Sequence, residues 1–281
     1  MVKNFFLLIV VLIIQSCKNC SDMDTPIDKA DLWGSDYRLF QNTPVFELAK
    51  AVCSEDVDQV EYLVNVKKQN INFQEPKFGH SLLIMTVVNQ QYGMCEKLLK
   101  LGANPNLHDY YEGTPAIVDA AQIGSLFFDD AKFLRLLLKY GANPSDKENG
   151  KLDEGNSIRY TPLIVSSGSK YDAYEKVKLL VEAGADINYK DEFNNFALKE
   201  AIILNNMEVA YYLLLHGADY RGVFIDRTKY FEGGQKAYIQ DLLMEHNYSS
   251  YSRNQKYKLK IIDFLKAKGV KFPRTRSSSG K

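Results

Sequence analysis

Apolar residues recur at helical spacing in a short run that stops at glycine, and close relatives of that run return along the chain. In Val209 to Asp219 (VAYYLLLHGAD), Val209, Tyr212, Leu213, Leu214 and Leu215 form one apolar stripe, too large for a lone helix to hide. Gly217 follows, the residue type best suited to the left-handed backbone that ends a helix. Related runs stand at Leu98 to Asn104 (LLKLGAN), Leu136 to Asn143 (LLLKYGAN) and Val177 to Asp186 (VKLLVEAGAD). The pattern predicts a repeated unit of helix, stop and polar turn, whose stripe is buried only when the next unit stacks on it.

Each unit also opens with another short apolar helix. The openings are at Phe46 (FELAKAVCSE), Ser81 (SLLIMTVVNQ), Thr114 (TPAIVDAAQIG), Thr161 (TPLIVSSGS) and Phe196 (FALKEAIILN), separated by 35, 33, 47 and 35 residues. Thr before Pro starts a helix through a hydroxyl cap and a ring that fits the first turn. Ala51, Ala120, Ser166 and Ala201 are small enough for two helices to approach closely. These residues resemble the ankyrin repeat, which opens T-P-L-H-x-A-A-x-x-G and ends L-L-L-x-x-G-A-D before a turn. The resemblance implies an all-α ankyrin-repeat solenoid of about five to six stacked helix-turn-helix repeats with finger turns, covering residues 43–222. Residues 223–272 then read as a divergent C-terminal repeat or cap, with helices over Gln235 to Glu245 and Tyr257 to Phe272, and 273–281 as a flexible tail. Insertions are expected after Gly124, over Ser169 to Lys176, and in the finger between Gly141 and Thr161.

The N-terminus has a different character. Lys3 precedes an unbroken apolar run from Phe5 to Ile14, too short to span a bilayer and of signal-peptide length. Ile14-Gln15-Ser16-Cys17 resembles the bacterial lipobox, which implies a signal peptide over residues 1–16, cleavage before Cys17, and a lipid anchor on that cysteine. Residues 17–42 then read as a tether and N-terminal cap, with Trp33, Tyr37, Leu39 and Phe40 docking on the first repeat. Cys53 and Cys95 fall in apolar helical patterns and read as small buried hydrophobes; with Cys20 they leave an odd number of thiols and no visible disulfide framework.

Composition removes several classes of function. The chain has 35 basic and 35 acidic residues, so it carries no electrostatic footprint for nucleic acid. His80, His108, His216 and His246 share no metal-ligand spacing, and no catalytic or cofactor motif is present, so no enzyme activity, metal or cofactor is expected. His216 has a structural explanation at the last carbonyls of its helix. What remains is surface. The turns carry Phe78, Tyr110, Tyr111, Tyr160, Tyr189 and Phe193, a residue class enriched at protein interfaces, which either meet a partner or fold over their own hairpins. Glu75, Asp109, Glu112, Lys190, Asp191 and Glu192 would form their polar rim. The expectation is a monomeric, membrane-anchored binder of a protein partner in the bacterial envelope, an immunity protein against a delivered toxin being one specific form. Lys18 after Cys17 favours the outer membrane, and a structural or protective envelope scaffold is the alternative.

Overall fold

Five helix pairs follow one another in the computed structural model, which describes residues 20, 22–124, 131–150, 159–229 and 233–272. They are α1 (Phe46–Cys53) with α2 (Val57–Asn65), α3 (Leu82–Val88) with α4 (Tyr92–Lys100), α5 (Ala116–Gln122) with α6 (Lys132–Lys139), α7 (Pro162–Gly168) with α8 (Ala173–Glu182), and α9 (Ala197–Ile203) with α10 (Met207–Leu215). Helices of seven to ten residues are marginal alone, so their stability comes from packing. Ala51, Ala120, Ser166 and Ala201 are all buried, as close helix approach requires. The expected all-α ankyrin-type repeats are present, five regular ones and an irregular end. The proposed signal peptide, Cys17, the residues 125–130 and 151–158 of two insertions, and the tail lie outside the described residues.

The helix stops take one form. Gly102, Gly141, Gly184 and Gly217 have φ of 93°, 86°, 90° and 94°. The amide after each reaches back five positions, as from Ala103 to Leu98 (3.0 Å) and Ala218 to Leu213 (2.9 Å). A methyl group at any of these four glycines would meet no neighbour, so the backbone conformation alone requires them. The helix starts are less uniform. Ser81 Oγ accepts from the Ile84 amide (3.2 Å), a conventional cap. The Thr114 hydroxyl instead donates toward Glu148 Oε1 (3.5 Å) in the following finger, so it links fingers and does not cap α5.

The contacts divide the chain into two units. The first comprises residues up to Ile123 together with Ala131–Pro162. Its N-terminal part, residues 22–42, is a folded cap containing 3₁₀ turns at Lys29–Asp31 and Tyr37–Phe40. Met23, Leu32, Tyr37, Leu39 and Phe40 are buried, and Gln41 Nε2 donates to the carbonyls of Met23 (2.6 Å) and Thr25 (2.8 Å). Trp33 departs from its expected docking role, with 82% of its surface exposed. The cysteines need a correction as well. Cys20 and Cys53 form a disulfide, Cα to Cα 5.6 Å, that fastens the cap to the end of α1; the sequence separation of 33 residues hid the pairing. Cys95 does behave as a buried hydrophobe, and burial pushes its thiol up to about 12.

The second unit runs from Leu163 onward. Leu213 and Leu214 of α10 are buried, whereas Leu215 is exposed, so the apolar stripe is narrower than its sequence suggested. In place of a sixth regular pair, α10 packs on the long helix α12 (Arg253–Ala267). A small antiparallel ladder, β1 (Ile225–Asp226) with β2 (Lys236–Ala237), precedes α11 (Ile239–Glu245). Helix α11 therefore starts four residues later than expected from Gln235: Lys236 and Ala237 are committed to the ladder, and the Tyr238 amide is taken by Asp241 Oδ2 (2.9 Å). Helix α12 begins earlier than Tyr257 because Ser252 caps it through the Gln255 amide (3.1 Å). His216 Nδ1 lies 2.8 Å from the Tyr212 carbonyl, the last-turn role expected of it. No described helix is long and apolar enough to cross a membrane.

Opening the disulfide releases the cap. The Cys20→Ser/Cys53→Ser pair is expected to lose about 3 kcal/mol in urea unfolding, and hydrogen exchange should accelerate first in residues 22–42.

Candidate functional site

The finger turns are built around one carboxylate each. Glu75, fully buried, accepts from the amides of Lys77 (2.7 Å), Phe78 (2.8 Å) and His80 (3.1 Å). Asp109 Oδ1 accepts from those of Tyr111, Glu112 and Gly113, each at 2.9 Å. Glu148 Oε2 accepts from Tyr160 (3.1 Å), and Asp191 Oδ1 from Phe193 (2.9 Å) and Asn195 (2.7 Å). A charged acceptor satisfying amides that face neither helix nor sheet fixes the tip, at about 1.5–3 kcal/mol per bond. Glu75, Asp109 and Asp191 are thus turn organisers, not the polar rim expected of them.

Three residues before the acid, an asparagine recurs in three of these fingers. Asn72 Oδ1 accepts from the Asn104 amide (2.7 Å), Asn106 Oδ1 from Asn143 (2.8 Å) and Asn188 Oδ1 from Asp219 (2.8 Å). Asn106 and Asn188 also donate to the carbonyls of Gly141 (3.1 Å) and Gly217 (3.2 Å). Each asparagine therefore ties its finger to the next helix stop. The spacing Asn-x-x-Glu/Asp is readable at Asn72, Asn106 and Asn188, but its letters differ and its purpose lies in a neighbouring repeat.

On this frame the six nominated aromatics take different positions. Tyr110 and Tyr111 are 63% and 73% exposed, and Phe193 51%. Tyr160 and Tyr189 are half-buried. Phe78 is a spacer: His80 stacks on it at 5.7 Å between centroids, Lys77 Nζ stands 4.7 Å from its centroid, and Tyr111 meets it edge-on. Gly79, at φ 79°, leaves room for the Tyr110 ring, which contacts the space a side chain would fill. The Tyr110 amide donates to the Phe78 carbonyl (2.7 Å), joining first and second fingers. His80 and His108 are structural links, to the carbonyls of Gly34 (2.8 Å) and Gly113 (2.6 Å), and His108 Nε2 lies 3.1 Å from Asp146. Phe78, Tyr110, Tyr111 and Tyr160 belong to the first unit and Tyr189 and Phe193 to the second.

Between the second and third fingers the carboxylates crowd. Asp119 on α5 is pushed up to about 8, mainly by loss of water and then by Asp109, Glu148 and Glu112. Glu148 is pushed up to about 7, again mainly by burial, against the hydrogen bonds from Tyr160 and Thr114. Among the described residues no group of three or more His, Cys, Asp or Glu has metal-binding geometry.

Comparison with known proteins agrees with this architecture. The ankyrin repeat family pattern matches residues 159–192, a finger with α7, α8 and the following turn. A putative ankyrin repeat protein of Rickettsia felis is 30% identical over 172 residues, covering 59% of this chain and 70% of that protein. The chain belongs to the ankyrin-repeat family. Ankyrin repeats are in general protein-interaction modules without catalytic activity. Ankyrin repeat protein OPG189 of Variola virus is 26% identical over 202 residues; the match takes 70% of this chain but only 30% of the viral protein's length. The crystal structure of the ankyrin repeat protein EF0377 shares the fold at a TM-score of 0.52 and 22% identity, covering 80% of this chain and 98% of that one.

The carboxylate cluster between these ankyrin fingers makes stability depend on pH. Unfolded Asp and Glu titrate near about 4. A folded value raised to about 8 or 7 gives stability that is complete below the unfolded pKa and is lost as pH rises through the folded one. Urea stability should fall between about pH 5 and pH 8. Asp119→Asn combined with Glu148→Gln should flatten that slope, gaining on the order of a few kcal/mol at pH 8 relative to pH 5. A slope unchanged by the pair would count against the assignment.

Proposed function

We propose that this ankyrin chain is a non-catalytic protein-binding module, exported and held by a lipid on Cys17 in the bacterial envelope, where it captures a protein partner through its finger tips. Capture of a delivered toxin, as by an immunity protein, is the role that best joins such a location to such a scaffold. The observation that carries the reading is the exposure of Tyr110 and Tyr111 on a tip whose backbone is fixed by Asp109. Rings presented by an ordered turn lose little freedom on binding and offer large contact area. Export is supported by the Cys20–Cys53 disulfide, since such bonds persist in oxidising compartments and are rare in the cytosol. The lipobox resemblance at Cys17 supports the anchor, and Lys18 supports sorting to the outer membrane.

Two measurements test it. Tyr110→Ala with Tyr111→Ala should weaken the partner crosslinked in host cells by about tenfold or more while moving the melting temperature little; a large loss of stability would mean that the rings serve the fold. Metabolic labelling with a clickable fatty acid should mark the wild-type protein and not Cys17→Ala, and equal labelling of both would remove the anchor.

A further inference from the structure

We infer that the N-terminal corner of the finger surface is built for a cationic segment of the protein partner, with arginine side chains seated on Trp33, Tyr110 and Tyr111 between the carboxylates of Asp31 and Glu112. This rests on the protein-binding reading above and adds the partner's chemistry.

The corner joins two elements that sequence treated separately. Lys77 in the first finger donates to the carbonyls of Lys29 (2.8 Å), Ala30 (2.9 Å) and Leu32 (3.0 Å), and His80 Nδ1 lies 2.8 Å from the Gly34 carbonyl. The residues flanking Trp33 are therefore fixed on the first finger while its indole stays 82% exposed. The next finger continues the surface through Tyr110 and Tyr111, and Phe78, covered by Lys77 and His80, fills the space beneath. A large indole has little reason to face water on an ordered cap when Tyr37, Leu39 and Phe40 beside it are buried.

Charge selects the occupant. Residues 22–42 contain five aspartates against one lysine and one arginine, in a chain that is neutral as a whole. Both bases are engaged internally. Lys29 Nζ donates to the carbonyls of Leu39 and Gln41, both at 2.6 Å, and Arg38 pairs with Asp36 at 2.7 Å. Lys77 is held by its three carbonyls as well. Asp31, two residues before Trp33, and Glu112, directly after Tyr111, are exposed, so the corner offers aromatic faces and carboxylates beside a Lys77 ammonium whose donors are already committed to carbonyls. A guanidinium matches both, since it stacks on indole and phenol faces and pairs with carboxylates through parallel hydrogen bonds; an ammonium does so less well.

Trp33 is the only tryptophan, so its emission reports on this corner directly. The full chain would be titrated with nona-arginine, nona-lysine and nona-glutamate peptides, following emission and heat. Nona-arginine should shift the Trp33 emission and bind more tightly than nona-lysine, and nona-glutamate should not bind. Tyr110→Ala/Tyr111→Ala and Asp31→Asn/Glu112→Gln should each weaken nona-arginine roughly tenfold. A control pair on α1 and α2, Glu47→Gln/Glu61→Gln, should not, with melting curves verifying that every variant is folded. Equal losses in the control pair, equal affinity for the two cationic peptides, or an unmoved emission would overturn the inference. The two readings fail differently. A crosslinked cellular partner kept by Asp31→Asn/Glu112→Gln but lost by Tyr110→Ala/Tyr111→Ala overturns the cationic assignment alone, whereas a partner kept by both overturns both readings.

Discussion

One buried carboxylate per finger is the interaction on which the binding surface depends. A turn between two short helices leaves several amides without a helical or sheet partner, and removing them from water unpaired would cost about 1–3 kcal/mol each. Glu75, Asp109 and Asp191 each gather two or three of those amides onto one side chain. The chain can then hold an ordered tip without a long hairpin, and the aromatic side chains at the tip are left to face outward. The same acids explain why the turns tolerate different lettering: the conformation is set by the acid and by glycines such as Gly79 and Gly113, not by the rings.

Order propagates along each unit by a second device. Helices of seven to ten residues are not stable alone, so every repeat borrows stability from its neighbour. Apolar stacking supplies most of it, and the asparagine links from one finger to the next helix stop fix the register of that stacking. At the ends there is no neighbour to borrow from, and two different solutions appear. The N-terminal cap is irregular but covalently fastened through Cys20 and Cys53. The C-terminal end uses a helix of 15 residues, α12, packed on α10, with Lys258 Nζ bonded to the His246 carbonyl (2.7 Å).

Crowding of acids has a cost that the fold accepts for this arrangement. Burial raises the proton affinity of Asp119 and Glu148, and the nearby carboxylates of Asp109 and Glu112 add to it. Exposed rings and exposed carboxylates at the N-terminal corner are the other side of the same composition: acids that are not consumed in holding turns remain at the surface.

Local chemistry was sufficient to read the repeats. Periodic leucines, a glycine after each second helix and small residues in each first helix are requirements of short-range geometry, and Gly102, Gly141, Gly184 and Gly217 all take the left-handed conformation they predict. Rings in polar turns stand out by composition alone, but composition did not separate the exposed Tyr110, Tyr111 and Phe193 from the half-buried Phe78, Tyr160 and Tyr189. What sequence left undecided was every property that depends on residues brought together from different repeats. The Cys20–Cys53 pair spans 33 residues, Trp33 is exposed because of where the first finger holds its neighbours, and Thr114 bonds Glu148 across to the next finger. Whether an acid in a turn is a solvated rim or a buried organiser is fixed by which amides surround it, and the packed tertiary structure alone assembles that shell.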